Sequence, residues 1–321
     1  MIRIRTACMQ AKALLLLALA LSTGTIAVAQ SRALPFLEIS PDVRTSAMGG
    51  SSIGEARTMY QYTNPTSALL SSTKLDVALS TRKYTLPELS SLAHLNATAS
   101  YRLGSRHAFM LGYRYYRGLA TTKEDEQGAR KAIKPMDYAV DLSYAYRFDE
   151  HWSAYLTGHF IQSYVGKVAY TAGASWGLYY RNSGELLGTT QRFALGLTGD
   201  NIGAKVQYGK AGHTSSMPAS IALGGSTSME LNPSWALSLG MTHRYFAKAN
   251  DSKHYLLSLG AETVWRDVLS LRLGTSLGQG NDAFTFGAGY RFKSLSIDAA
   301  YLIQPQTNYN AFSLGLSFGF K

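Results

Sequence analysis

Apolar residues alternate with small or polar residues along fourteen short stretches of the chain between Leu75 and Lys321. In the last stretch, serine or glycine separates five large apolar residues, which are Phe312, Leu314, Leu316, Phe318 and Phe320. Because successive side chains of a strand point to opposite faces, the pattern predicts strands with one apolar wall and one smooth polar wall. A strand that has lipid on one side and a lumen on the other needs this arrangement.

These stretches predict an all-β fold, a 14-stranded antiparallel transmembrane β-barrel with an N-terminal plug segment. Most of them have the roughly 9–11 residues that a tilted strand needs to cross the hydrocarbon core of a membrane. An even number of strands is also the norm for bacterial barrels. The predicted strands span residues 75–83, 92–103, 107–118, 137–148, 151–163, 171–181, 191–200, 219–230, 234–246, 254–265, 268–278, 283–293, 294–304 and 311–321.

Turn-forming residues separate several of the predicted strands. Residues 181–184 (Arg-Asn-Ser-Gly) and 278–282 (Gly-Gln-Gly-Asn-Asp) are rich in turn formers, so we expect a turn at each place. The longest polar insertions of the barrel region lie at about 119–135 and 203–218. Long loops of such barrels are normally extracellular, and we expect these two to be so.

The N-terminus, residues 1–29, has the parts of a secretory signal peptide. Basic residues precede an apolar core at 13–21, and Ala27-Val28-Ala29 provides a small-x-small cleavage signal. The only cysteine, Cys8, would be lost with this segment, so we expect no thiol chemistry in the mature chain. No later apolar run approaches the roughly 18 residues of a spanning helix. Entry into a membrane would therefore require a closed barrel, and we expect a cell outer membrane protein.

Composition and charge agree with this location. The mean hydropathy is −0.08, and the 21 tyrosines suit the boundary between membrane and water. The net charge of +11 fits attraction to outer-membrane lipid or lipopolysaccharide phosphates, and it fits a scattered solvated surface equally well. We expect no nucleic acid partner, because an exported barrel rarely meets one.

Charged residues of both signs fall on the inward face of the predicted strands. Such charges can pair across the lumen or hold a plug, or they can line a water-filled path, and the mixed signs favour pairing. Asp76 belongs to this set. The lumen-facing candidates are otherwise His94, Arg102, Arg114, Asp141, Arg147, Glu262, Arg272, Arg291 and Asp298.

Residues 30–74 break the alternating pattern that begins at residue 75. Prolines interrupt this stretch, and Gly49-Gly50 permits close backbone approach. It can be a tail or a plug in the lumen, and its apolar content favours the plug. Its opposite charges, Asp42 and Arg44, are expected to dock onto wall residues such as Arg291 or Asp298. The residues of the predicted plug motif are Pro41, Asp42, Arg44, Met48, Gly49, Gly50, Asn64 and Pro65.

The run from Phe36 to Gly50, followed by Asn64-Pro65 and Ala68-Leu69, resembles the opening of the PorV/PorQ family. Weaker matches follow in the right order at residues 201–203, 217–224 and 284–301. The resemblance implies a barrel like that of the FadL group, with fourteen strands and an N-terminal plug. It also implies service in the type IX secretion system of Bacteroidetes-type bacteria. PorV-like members carry or tether secreted cargo, and PorQ-like members help to form the surface attachment complex.

One catalytic motif is present, in a place that does not favour catalysis. Residues 173–177 match G-x-S-x-G, which acts where a strand turns sharply into a helix. Here the motif lies inside an alternating strand, with Ser175 inward and Trp176 outward, so we expect no enzyme. A serine beside His159 or His94 is the remaining alternative, because outer-membrane barrel hydrolases exist. The histidines show no metal spacing, and we expect no cofactor and no metal.

Our main functional hypothesis is therefore an outer-membrane barrel of the PorV/PorQ type, in type IX protein secretion or cell-surface attachment of secreted proteins. Its partners would be other secretion-system or surface-attached proteins. The alternative is a FadL-like outer-membrane channel for a small hydrophobic ligand, with an apolar pocket near Phe36, Leu37, Ile39 and Met48. An embedded hydrolase ranks third.

Overall fold

Strands dominate the computed structural model of the chain. It describes residues 33–85, 89, 92–124, 130–186, 189–209, 214–250, 253–278, 282–307 and 309–321. The predicted signal peptide, residues 1–29, lies outside the described residues.

The barrel wall consists of fourteen strands, each hydrogen-bonded to two antiparallel neighbours. They are β1 (Leu75–Tyr84), β2 (Ala93–Leu103), β3 (His107–Arg117), β6 (Met136–Arg147), β7 (Trp152–Tyr164), β8 (Val168–Leu186), β9 (Thr189–Gly203), β12 (Ser220–Asn232), β13 (Trp235–Asn250), β14 (Lys253–Trp265), β15 (Leu269–Gly278), β16 (Ala283–Phe292), β17 (Leu295–Ile303) and β18 (Ala311–Phe320). Two small hairpins stand outside the wall, β4 (Thr121–Glu124) with β5 (Arg130–Ile133), and β10 (Val206–Gln207) with β11 (Thr214–Ser215).

Pairing of the first strand with the last closes the sheet. In β1, Leu75 faces Phe320 of β18, and the pairing continues to Tyr84 opposite Ala311. Closure leaves the sheet without an open edge, and lipid could not satisfy the backbone groups of such an edge. The predicted 14-stranded antiparallel barrel is confirmed.

Side-chain exposure alternates along the strands as the sequence pattern predicts. In β18, Leu316 and Phe318 are exposed on the outer face, whereas Ser313 is buried. In β16, Phe284 and Phe286 are exposed, and Thr285 between them is buried. The outer face is therefore apolar, and the inner face carries small, hydroxyl and charged residues.

The two ends of the barrel differ in the length of their connections. Short turns join β2 to β3, β6 to β7 and β16 to β17 at the end that also holds Leu75 and Phe320. Longer connections, at 118–135, 204–219 and 304–310, lie at the opposite end. Bacterial barrels have short periplasmic turns and longer extracellular loops, so we assign the short-turn end to the periplasm.

The predicted turn at residues 181–184 is wrong. β8 continues through these residues to Leu186, and Asn182 and Gly184 pair with Phe193 and Gln191 of β9. Cross-strand pairing overrides the local turn preference, and it continues as far as Leu186 opposite Thr189. In the second predicted turn, Gly278 ends β15 with a positive φ of 108°, and residues 279–281 lie outside the described residues.

The N-terminal segment, taken from here as residues 33–74, is built of short helical pieces. They are 3-10 turns at Pro35–Glu38, Tyr60–Tyr62 and Pro65–Leu70, and an α-helix at Val43–Ala47. None of the helices in the described part of the chain is long and apolar enough to cross a membrane.

Candidate functional site

Asp42 caps the α-helix of the N-terminal segment, Val43–Ala47. Its carboxylate caps the helix by accepting a hydrogen bond from the Thr45 backbone N–H at 2.8 Å, and its other oxygen accepts one from the Thr58 hydroxyl at 2.9 Å. Burial raises the pKa of this carboxyl above its usual value, and the two hydrogen bonds oppose that rise. Asp42 therefore joins two parts of the segment to each other.

Arg44, two residues further on, joins the segment to the barrel wall. Its guanidinium forms a bidentate ion pair with Glu262 of β14, with Nη2 2.6 Å from Oε2 and Nε 3.0 Å from Oε1. Its Nη1 donates to the Glu55 carbonyl at 2.8 Å. Both partners of the ion pair are buried. Since an unpaired buried charge is costly, this contact restricts where the helix can lie.

The ion pair continues along the wall as a chain of alternating charges. Arg272 of β15 donates from Nε to Glu262 at 2.8 Å and from Nη1 to Asp298 of β17 at 2.6 Å. Arg44, Glu262, Arg272 and Asp298 thus form one buried network across four elements. The mixed signs of the inward charges favour ion pairing in the sequence, and these four residues are ion-paired.

The expected docking partners of Asp42 and Arg44 were only partly right. Arg44 does dock onto the wall, but its partner is Glu262 and not Asp298. Asp42 binds Thr45 and Thr58 inside the segment, not Arg291. The helix cap needs an acceptor at this position, and the cap satisfies the carboxylate locally.

Backbone-to-backbone contact fixes the turn that follows the helix. A Cβ on Gly274 of β15 would lie 2.7 Å from the Met48 Cα, and one on Gly260 of β14 would lie 2.6 Å from the Met48 carbonyl oxygen. Gly49, at φ 68°, would collide with the Thr275 backbone if it carried a side chain. The wall glycines leave the space that Met48 and Gly49 occupy, and the Gly49 N–H donates to the Thr285 hydroxyl at 3.0 Å.

The second half of the segment packs against the inner face of a different set of wall strands, which includes β3, β6 and β7. Asn64 accepts hydrogen bonds from the Thr66 N–H and hydroxyl and donates to the Gly54 carbonyl at 2.6 Å, and Pro65 begins the 3-10 turn. The apolar residues of this half of the segment form a buried cluster with inward residues of the wall. The cluster comprises Ile53, Tyr60, Ala68, Leu69, Ala108, Met110, Ala145, Tyr155, Tyr179 and Ala222.

A second buried charge centre surrounds Asp141 of β6. Arg114 of β3 forms two hydrogen bonds with its carboxylate, both at 2.9 Å. Tyr62 of the N-terminal segment donates to Asp141 Oδ2 at 2.9 Å, and His159 of β7 lies 2.6 Å away through Nδ1. The sequence singled out Arg114 and Asp141 as inward charges. Tyr62, which it missed, carries no pattern that would have indicated it.

The remaining candidate charges stay outside both networks. Arg102 binds the Thr73 and Gly104 carbonyls near the short-turn end, and Asp76 binds Thr73 and Ser71. His94 is buried and lies against the Tyr116 ring, with centroids 4.7 Å apart. Arg147 and Arg291 are half-buried.

A cavity of about 780 Å³ lies between the N-terminal segment and the wall. Leu37 and Ile39 line it from the segment, and Tyr309 of the 304–310 connection lines it at the long-loop end. Phe36 and Met48, expected in an apolar pocket here, line smaller separate spaces. Within the described residues, no group of three or more His, Cys, Asp or Glu is placed to hold a metal ion.

The N-terminal segment and the wall strands up to β12 fall in the part of the chain that a known family matches. The profile of the family described as type IX secretion system protein PorV matches residues 25–245 of this 321-residue chain. The chain belongs to the PorV family. Arg44 lies inside the matched region, whereas its wall partner Glu262 and the other members of the network, Arg272 and Asp298, lie beyond it. Family and closed barrel together identify an integral outer-membrane protein of type IX secretion.

Solved structures with a similar fold include two toluene transporters and a monoaromatic hydrocarbon channel. The Ralstonia pickettii toluene transporter TbuX is 13% identical, with a TM-score of 0.57 over 87% of this chain and 98% of that chain. The Pseudomonas putida toluene transporter TodX is 12% identical, with a TM-score of 0.52 over 92% and 98%. The monoaromatic hydrocarbon channel CymD is 13% identical, with a TM-score of 0.58 over 90% and 99%. No curated protein matches the chain.

At such low identity these structures show the fold alone. The fold and the family are those of transport or secretion barrels, and the PorV family match carries the functional assignment.

Proposed function

We propose that this PorV-family barrel holds a secreted or secretion-system protein at its outer face, while the N-terminal segment closes the lumen as a plug. The observation that carries the closure is the buried ion pair of Arg44 with Glu262, which ties the segment to the wall. The backbone contacts of Met48 and Gly49 with Gly260 and Gly274 support the same arrangement. A rigid, closed barrel offers a fixed outer surface for a partner without leaking ions.

A site-specific crosslinker tests the outer-face partner. Lys134 is exposed in the connection before β6, at the long-loop end, and Glu150 is exposed in the short turn between β6 and β7. We expect a photoreactive residue at Lys134 to capture a type IX cargo or machinery protein in secreting cells. The same residue at Glu150 is the matched control and should not capture cargo. Loss of the gene without any loss of cargo secretion would contradict the proposal.

A truncation tests the plug. Deleting residues 36–60 should leave a folded barrel with higher conductance in planar bilayers, because the ion pair and the backbone contacts go with the segment. If the truncated barrel folds and conducts no better than the intact one, the wall itself closes the lumen. The segment would then act as a periplasmic docking arm.

The alternative function, a channel for small hydrophobic compounds, has one observation in its favour. The cavity of about 780 Å³ has apolar residues such as Leu37, Phe246 and Leu256 in its lining, and the similar structures include toluene transporters. Equilibrium binding of radiolabelled toluene to the purified intact barrel tests it. Saturable binding that a Leu37→Asp substitution abolishes would favour the channel, and no saturable binding would exclude toluene as its ligand.

A further inference from the structure

A serine, a histidine and an aspartate lie in hydrogen-bonding order on three neighbouring strands of the inner wall. His159 of β7 has Nε2 2.7 Å from the Ser175 Oγ of β8 and Nδ1 2.6 Å from the Asp141 Oδ1 of β6. Asp141 and His159 are direct cross-strand partners, and Ser175 is opposite Thr157, two residues from His159. All three side chains are buried on the inner face. The strand register therefore produces the constellation of a nucleophile, a base and an orienting carboxylate.

The surroundings of Asp141 set the proton positions. Arg114 pairs with both carboxylate oxygens, so Asp141 is held as the anion. An anion beside Nδ1 favours the tautomer with its proton on that nitrogen, which leaves the Nε2 lone pair to accept from the Ser175 hydroxyl. Tyr62 donates to Asp141 Oδ2 at 2.9 Å, and burial raises the pKa of its phenol well above the usual value, so it remains a donor. The base is thus oriented towards the serine.

A bulge in β9 places a backbone donor at the same serine. The pairing of β8 with β9 shifts between Ala174 and Trp176, and Asn201 adopts a left-handed φ of 54°. Its N–H leaves the regular ladder and donates to Ser175 Oγ at 3.0 Å. Non-glycine residues at positive φ are uncommon and concentrate at functional sites. When a carbonyl carbon is bonded to Ser175 Oγ, the same N–H can donate instead to the oxygen on that carbon.

The serine also borders the large cavity. Ser175, His159 and Asn201 line the cavity of about 780 Å³, and Tyr309 lines its long-loop end. A substrate would therefore reach the serine from the outer face of the barrel. The volume suits a small molecule, and the lining mixes polar groups such as Arg244 with apolar ones.

We propose that Ser175, His159 and Asp141 form a catalytic triad that hydrolyses small carboxylic esters entering from the outer face. The Ser175 Oγ attacks the ester carbonyl carbon as His159 Nε2 takes its proton, and the Asn201 N–H stabilises the oxyanion. The C–O bond to the alcohol then breaks, and His159 returns the proton to the leaving oxygen. Water, deprotonated by His159, releases the acid and restores the serine. The activity is independent of the secretion role proposed above.

The competing explanation is a purely structural network that satisfies buried polar groups, and it predicts no covalent chemistry. We would treat the full-length barrel in detergent micelles with a fluorophosphonate, which labels activated serines, and locate the label by peptide mass spectrometry. We expect the label on Ser175, and we expect it to be lost in S175A and in H159Q. The matched control is S163A, since Ser163 is an inward, buried serine of β7 that binds Asp137 and Tyr208 and, among the described residues, no histidine.

Hydrolysis of p-nitrophenyl acetate and butyrate gives a second readout. We expect kcat/KM in S175A and H159Q to fall at least about 100-fold, the usual contribution of general base catalysis, and S163A to match the wild type. Heat-modifiable gel mobility confirms that each variant is folded. A folded wild type that takes no label at Ser175 and hydrolyses no faster than S175A would overturn the proposal. Cargo secretion in S175A should be unchanged, which separates this activity from the proposed function.

Discussion

Arg44 and Glu262 are 218 positions apart in the chain and form a buried bidentate ion pair, with Nη2 and Oε2 at 2.6 Å. Glu262 is fully buried and has Arg272 as its second partner. The pair therefore joins an irregular N-terminal segment to a wall that is otherwise complete without it. Its strength decides how firmly the segment is held.

The first prediction concerns this ion pair. Arg44→Met should destabilise the docked segment by about 3 kcal/mol, the lower end for a broken buried pair, because Glu262 keeps Arg272. Limited proteolysis of the folded barrel should then cut within residues 33–70 at protease concentrations that leave the wild type intact. The control is Arg192→Gln, which breaks the exposed pair with Glu230 and should cost under about 1 kcal/mol. Equal protease resistance of both variants would show that the ion pair does not hold the segment.

The second prediction concerns the close approach at Gly274. Gly274→Val would place side-chain atoms where the Met48 backbone lies, and overpacking of this kind typically costs about 1–3 kcal/mol. Because the fourteen wall strands pair with one another into a closed sheet without the segment, we expect displacement of the segment and a rise in bilayer conductance. Gly158→Val is the matched control, since a Cβ there meets nothing within 4 Å. A conductance of Gly274→Val equal to that of the control would contradict the close-contact geometry.

The third prediction concerns depth in the membrane. Leu316 is 50% exposed near the middle of the outer face of β18, and Leu316→Arg should cost about 2–4 kcal/mol. Phe312→Arg, near the long-loop end of the same face, should cost about 0–1 kcal/mol because it lies close to the interface. Denaturant titration in lipid vesicles measures both. Similar costs for the two variants would mean that the depth assignment of this strand is wrong.

Local sequence predicts the wall far better than it predicts the lumen. Which face a side chain takes follows from alternation, a property of a few neighbouring residues, so the inward placement of Asp141, Ser175 and Glu262 was predictable. Which inward residues meet is decided by strand register and by the path of the irregular segment. The pair of Arg44 with Glu262 therefore could not be predicted, and Asp298 was expected in its place.

The G-x-S-x-G motif shows the same difference between what local alternation predicts and what strand register decides. Its position in a strand was predicted correctly, and that position argued against catalysis. The contact of Ser175 with His159 depends on the stagger of β8 against β7, which a sequence pattern with a period of two does not determine. The bulge at Asn201 has no clear signal in the alternation either. The proposed catalytic role of Ser175 therefore rests on its contacts with His159 and Asn201 and not on the motif.

The last prediction concerns assembly of the barrel at its closing strand. Phe320 is the final outward aromatic of β18, packs against Phe318 with ring centroids 4.6 Å apart, and accepts a backbone hydrogen bond from Lys74 at 2.9 Å. Phe320→Ala should lower the folded yield, because it removes apolar surface where β18 meets β1, while the backbone pairing stays. Deletion of Lys321, an exposed residue beyond the strand, should be tolerated and is the control. The folded fraction after refolding into lipid vesicles, read as the heat-modifiable band, measures both. Equal folded fractions for wild type and Phe320→Ala would show that the terminal aromatic has no part in closure.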